Sequence, residues 1–363
     1  MTVDPGRVDE LRSRFEDSML KSRRVEIAAL DDDYEVMFDR GWTDGLPVVP
    51  PTEYLVAGVL EGTMRDSDEV VALVPPNLTE CTVEKVAINA VMAGCRPEYL
   101  PVVLAAVDAI CTDEFNMHGV LATTMSVGPI LVVNGPVASE IGMNSGVNVL
   151  GHGNRANSSI GRAVQMVIRN MGGGAPGGVD RATLGHMGKQ GLCFAEDEAG
   201  SPWISLAEER GFNAGVSTVT AFCGEGPRLV ADQRSRTPES LTKTLGEALR
   251  GAVSSRMVMA MDAMLVISPE HMSRYRDAGW DRARFHEEIS AQLMVETDGI
   301  VAGAGGIEDG IPPALGGITV PKFRPGGLLV VHAGGAAGLF SAIIGGWLNG
   351  PSGSEPVTRE VKP

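Results

Sequence analysis

The sequence predicts an α/β protein: a largely parallel sheet flanked by helices. Two observations carry this. Three segments share one order of apolar strand, small-residue turn and helix: Pro129–Val133 with NGP and ASEIG, Ala263–Ile267 with SPE and HMSRYRDAG, and Leu328–Val331 with HAGG and AAGLFSAIIGG. Their strands are continuous apolar runs, the pattern of a sheet buried on both faces. The first two units (LVVNGPVASEIG and LVISPEHMSRYRDAG) are alike enough to suggest a weak internal β-loop-α duplication.

Element by element, residues 5–22 have an amphipathic helical period, with Val8, Leu11, Phe15 and Met19 on one narrow stripe. That stripe is expected to mediate homo-oligomer assembly. Asp31–Asp33 begins a second short helix, acidic where the N-terminal dipole favours it. GLPVVPPTE (45–53) is too rich in proline to be helical. Thr82–Gly94 reads as a helix that buries Val83, Val86, Ala87, Ala90 and Val91 and ends at Gly94. Pro97 opens the next helix, to about Ile110. Ile160 to Met171 keep a helical period, capped at Asn157 or Ser158 and stopped by Gly172. The expected organisation is an N-terminal helical arm (1–40), a first α/β region carrying the site (41–250), a second α/β region (251–348) and a disordered tail (349–363).

Composition narrows the function. The 363 residues carry a formal charge of −16, which disfavours nucleic acid and anionic membranes. Five cysteines without a CxxC pair fit free thiols in a reducing compartment, and the charged N-terminus has no apolar leader, so a cytoplasmic location is expected. Residues 326–350 lack Asp, Glu, Lys and Arg, but Gly334, Gly335 and Gly338 interrupt them, so no membrane span is expected.

One segment departs from the rest. Residues 134–191 hold 14 glycines, six asparagines, five Lys or Arg and only two acids, a local charge of +3. Within it, Asn154, Arg155, Asn157 and Ser158 precede or open a helix whose free N–H groups and dipole suit a phosphate or carboxylate. Lys189 supplies another cation. Capping alone also explains Asn157 and Ser158. Cys193, between Lys189 and Glu196, is a candidate reactive thiol with Glu196 as acid or base, although a lone cysteine is commonly a small buried hydrophobe. His118 and Lys85 are further candidates for proton transfer. Lys85, Asn89 and Met92 share one helix face, with Glu84 beside them; such a set can hold a substrate or form a structural ion pair. No dinucleotide or P-loop fingerprint is present, so no cofactor is called for. The six histidines show no zinc spacing, and any metal site remains unknown, with His118, His152 and His186 as a set that distant loops would have to assemble.

The segments TVEKVAINAVMAGCRPEYLPVVLAAV (82–107), NRANSSIGRA (154–163), ATLGHMGK (182–189), CFAE (193–196), SPW (201–203) and GGAAGLFSAIIGGW (334–347) resemble a mostly uncharacterised bacterial family over roughly residues 42–347. Its genes often accompany small thiol- or selenol-bearing proteins with a UGSC motif. The resemblance implies site roles for Cys193, Glu196, Asn154, Arg155 and Asn157, and a UGSC-type thiol protein as a partner. Proline is common in that family where this chain has His152 and His186, a departure that implies an altered site. The sequence therefore points to an enzyme acting on a small anionic substrate by lyase or hydrolase chemistry. The alternative is a co-catalytic or binding subunit for a thiol-bearing partner protein.

Overall fold

The structure, a computed structural model, describes residues 20–28 and 31–363. The stripe of Val8, Leu11, Phe15 and Met19, with the assembly role expected of it, lies outside the described residues. In chain order the helices are α1 (Asp33–Asp39), α2 (Glu53–Leu60), α3 (Val83–Ala93), α4 (Leu100–Ile110), α5 (Met117–Ala122), α6 (Pro136–Glu140), α7 (Arg155–Asn170), α8 (Leu206–Glu209), α9 (Pro238–Arg250), α10 (Pro269–Asp277) and α11 (Arg282–Gln292). The strands are β1 (Val70–Val74), β2 (Thr79–Thr82), β3 (Gly128–Asn134), β4 (Leu192–Ala195), β5 (Thr218–Gly224), β6 (Arg228–Ala231), β7 (Met261–Ile267), β8 (Met294–Glu296), β9 (Thr319–Pro321), β10 (Leu328–His332), β11 (Phe340–Leu348) and β12 (Val357–Glu360).

Several helices begin and end where their side chains dictate. Thr82 caps α3 through the N–H of Lys85, and Gly94 closes it at φ 85°, a left-handed conformation that favours glycine. Asp32 caps α1. The start of α7 differs from expectation. Asn154, not Asn157 or Ser158, is the cap, because its carboxamide oxygen accepts the Asn157 N–H at 3.0 Å.

One eight-stranded sheet organises the chain. Its path runs β10-β7-β11-β5-β3-β4, with β6 added beside β11 and β12 beside β5. Only β3/β4 and β7/β10 pair in parallel; the other five pairings are antiparallel. The sheet is therefore mixed, which corrects the largely parallel expectation. Strand–turn–helix order fixes where a helix leaves the sheet, not which strand becomes its neighbour. The sheet also crosses the expected boundary at residue 250, since β6 pairs with β11 and β12 with β5. The expected disordered tail supplies β12, with Val357 opposite Ala221 and buried.

A second correction concerns residues 334–347. The expected helix is strand β11. Ile343 and Ile344 favour a pleated surface, and both strand edges find partners. Gly346 permits that approach: a Cβ there would sit 2.7 Å from the Asp262 carbonyl oxygen. Among the described residues no helix is long and apolar enough to cross a membrane.

The sheet curls until its two edge strands meet. The Asp197 N–H, just after β4, donates to the carbonyl of His332 at the end of β10 at 2.8 Å. Side chains on the inner face, including Ile130, Phe194, Phe222, Met264, Leu329 and Ile344, form one core. Alternate residues point outward into two more. One lies beneath α3, α4 and α7. The other lies beneath α9, α10 and α11, centred on Trp203, Tyr275 and Phe285.

Candidate functional site

The structure distributes the sequence-predicted site residues over several separate places. Cys193 is buried in β4 under α7, where a Cβ on Gly161 would come 3.1 Å from its own Cβ. Complete desolvation pushes its thiol far above the ordinary range. It is a packing residue, which corrects its expected role as a reactive thiol. Burial also raises Cys81, Cys95, Cys111 and Cys223 to about 12.

Glu196 continues β4, two residues beyond Phe194 on the inner face and therefore opposite to Cys193. Its carboxyl accepts the Asn134 side-chain N–H at 2.6 Å and the Leu206 N–H at 2.8 Å. The His332 N–H approaches at 3.5 Å. Burial raises its carboxyl to about 7, against the nearby Arg282 guanidinium and these hydrogen bonds, which favour the charged form. Glu196 thus ties β3, β4, β10 and α8 together where the sheet closes.

At the start of α7 the asparagines are spent on structure. The Asn154 amide also donates to the Gly142 carbonyl at 2.8 Å. Asn157 is buried and brackets the backbone of Asn144, accepting its N–H at 3.0 Å and donating to its carbonyl at 2.9 Å. Arg155 is exposed, and its Nε donates to the carbonyl of Gly94, the last residue of the α3 cap, at 3.0 Å. Ser158 is exposed. Lys189 lies beside Gly128 and Gln165 and pairs with Asp180 at 2.9 Å. Gln165 is ten residues beyond Arg155, roughly 15 Å along the helix, so Lys189 does not join Arg155 in one anion site. Arg162, a further source of the local positive charge, forms a bidentate pair with Asp44, both bonds at 2.7 Å. Of the five cations in the segment, Arg162 is paired with Asp44 outside it and Lys189 with Asp180 within it.

His118 stands exposed on α5. Among the described residues no group of three or more His, Cys, Asp or Glu is placed to hold a metal ion, so His118, His152 and His186 do not converge.

Lys85 has a different setting. It lies with Ile88, Asn89 and Met92 on one face of α3, the face lining a cavity of about 570 Å³. The opposite face of α3 is in the core, and on the cavity face Met92 and Ile88 pack at the edge of that same core. Residues 20–27 form a further wall and are pinned there. The Glu84 carboxylate accepts the N–H groups of Lys21 at 2.9 Å and Ser22 at 2.8 Å. Lys21 pairs with Asp68 at 2.6 Å, and Arg24 pairs with Glu53. Glu84 is therefore spent on backbone, and the ion pair with Lys85 does not form. Asn170 at the end of α7 completes the frame, donating to Asn89 at 2.8 Å and to the Trp42 carbonyl at 3.1 Å. Among the described residues the Lys85 ammonium has no ion-pair partner.

The face of Lys85, Asn89 and Met92 was legible as a helical period. Trp42, Asn170 and residues 20–27 were not, since the wall joins positions as far apart as 42 and 170 with no local spacing to mark them. Compared with known proteins, the chain matches no family model and no curated sequence.

Proposed function

We propose that the protein is an enzyme acting on a small anionic substrate by lyase or hydrolase chemistry, with the substrate held in the cavity beside Lys85. The observation that carries this reading is a lysine without an ion-pair partner on the wall of a 570 Å³ cavity. Pockets of roughly 300–1,000 Å³ are the usual size for small-molecule sites. A half-buried lysine on a mainly apolar wall gains more from an anion than one in open water. Lys85 would anchor the anion or move a proton, while Glu84, Asn89 and Asn170 hold the walls rather than react. Residues Asn154, Arg155, Asn157, Ser158 and Lys189 stand apart from this cavity, so the anion site moves from the start of α7 to α3. The test is turnover of a panel of small carboxylic and phosphoric esters and hydroxy acids by the wild type, Lys85→Met and Lys85→Arg. A proton-transfer or anchoring role predicts a loss of about 10²-fold or more in Lys85→Met, with partial recovery in Lys85→Arg. Turnover by Lys85→Met at the wild-type rate would refute it.

A second reading, a co-catalytic or binding subunit for a UGSC-type thiol protein, is favoured by apolar side chains on surface loops. Leu184 is 90% exposed, Met187 78% and Val147 77%. Under that reading Leu184→Asp with Met187→Asp abolishes capture of such a partner without lowering the melting temperature. The family resemblance, a cytoplasmic location and assembly through the N-terminal stripe belong to the same proposal. So does the internal duplication. Its support is the strand pairing: β3 has a parallel neighbour in β4 and an antiparallel one in β5, as β7 has in β10 and β11.

A further inference from the structure

Resting on the cavity reading above, a narrower substrate class follows from the charge and composition of the walls. We propose that the cavity takes an amphipathic monocarboxylate, its carboxylate at Lys85 and its apolar body among Trp42, Ile88 and three methionines, rather than a phosphate ester.

Charge is the first argument. The cations on the wall are Arg23, Arg24 and Lys85; the carboxylates are Glu53 and Glu84. The surplus is one positive charge. Arg24 is already paired with Glu53, and Arg23 is exposed to solvent. With that pair cancelled, Arg23 and Lys85 stand against Glu84, and Lys85 is the half-buried cation of the two. One carboxylate neutralises the surplus. A phosphate monoester, with about −1.5 to −2 charge at neutral pH, would leave excess negative charge beside Glu84 and Glu53, and like charges on desolvated walls repel.

The walls supply the second argument. Apart from these charged residues the lining is mainly apolar, with Met37, Met92 and Met171 approaching from α1, α3 and the end of α7. Methionine is unbranched and polarisable and adapts to irregular apolar shapes. The indole of Trp42 stands beside them, packed at the edge of the core, with the Arg40 guanidinium 5.2 Å from its ring centroid. A small polar anion such as malonate would leave these surfaces bare. Asn170 donates to the Asn89 oxygen and to the Trp42 carbonyl, and Asn89 donates to the Lys85 carbonyl, so these amides serve the wall rather than a second polar anchor in place of Lys85.

Titration calorimetry of the full chain with octanoate, octyl phosphate, octanol, malonate and inorganic phosphate at pH 8, repeated with Lys85→Met and Lys85→Arg, tests this. Octanoate is expected to bind at least tenfold more tightly than octanol and than octyl phosphate. Lys85→Met should bring octanoate down to the affinity of octanol and leave octanol unchanged; Lys85→Arg should retain most of the preference. Unchanged melting temperatures exclude a folding defect in either variant. Octyl phosphate binding more tightly than octanoate overturns the proposal. If malonate or inorganic phosphate binds through Lys85 while octanoate does not, the monocarboxylate class is wrong and the anion site stands. If none of these probes binds, or binding of none depends on Lys85, both are wrong.

Discussion

The side-chain amide of Asn134 donates to the carboxyl of Glu196 at 2.6 Å, joining the end of β3 to the end of β4 beside the seam where the sheet closes on β10. The same amide reaches Glu198 at 2.8 Å, and Glu198 accepts the Gly135 N–H at 2.6 Å. The seam is thus tied by carboxylates that accept from N–H groups on separate elements. The protonation of Glu196 should therefore register in stability.

Burial raises the Glu196 carboxyl from 4.5 to about 7 in the folded protein. A raised folded value means that the folded state holds the proton more tightly than the unfolded chain. The associated stability is fully present below about 4.5 and is lost as the pH rises through about 7. Its size is about 3 kcal/mol. Melting curves between pH 4.5 and 8 should show the wild type losing stability relative to Glu196→Gln as the pH rises. Parallel curves for the two proteins would show that Glu196 keeps an ordinary carboxyl.

Thiol reactivity should follow exposure rather than sequence neighbourhood. Cys111 is the one partly exposed thiol, and Cys81, Cys95, Cys193 and Cys223 are buried. Iodoacetamide should modify Cys111 first in the native protein, and Cys193 only on unfolding. Cys193→Ser buries a hydroxyl in an apolar site and should cost roughly 1–3 kcal/mol. Mass spectrometry of the labelled native chain decides the order; early modification of Cys193 would contradict its packing.

Arg155 and Asn154 should matter to stability and not to ligand affinity. Asn154→Ala removes the α7 cap and should cost about 1 kcal/mol. Arg155→Ala loses one hydrogen bond to Gly94, roughly 0.5–1.5 kcal/mol. Arg155 stands fifteen residues from Asn170 at the cavity end of its helix, about 22 Å away along the axis. Octanoate affinity should be unchanged in both variants. A tenfold loss in Arg155→Ala would restore the start of α7 as an anion site.

Residues 355–363 should be required for a stable sheet. Thr358 meets Thr220 at 3.0 Å, Arg210 donates to the Pro356 carbonyl at 2.6 Å, and Glu355 pairs with Arg324. Deleting 355–363 bares one edge of β5 and removes Val357 from the core. The expected cost is roughly 3–5 kcal/mol, read as a lower urea midpoint. A midpoint equal to that of the full chain would show the segment to be dispensable.

Elements whose signals are local can be read from the chain alone. Thr82 and Gly94 bound α3 because a hydroxyl cap and a left-handed glycine act within one helical turn. β3 and β7, each followed by a helix with proline in its first turn, were legible for the same reason, as apolar runs ended by turn residues. The face of Lys85, Asn89 and Met92 follows from a period of 3.6 and needs no partner to define it. Tertiary structure decided the rest. Glycines near Ile343 and Ile344 read as a helix until β6 and β7 claim both edges of that segment, because ladder pairing outweighs weak local propensity. Strand direction depends on which edges are free when the sheet assembles, and no side-chain pattern encodes it. Whether a charged residue is free or spent also depends on distant chain. Arg162 is paired with Asp44, Lys189 with Asp180, and Glu84 accepts the backbone N–H groups of residues 21 and 22, whereas Lys85 stands on a cavity wall with no ion-pair partner among the described residues. Electrostatic partners are chosen by proximity in space, and proximity is what the fold supplies.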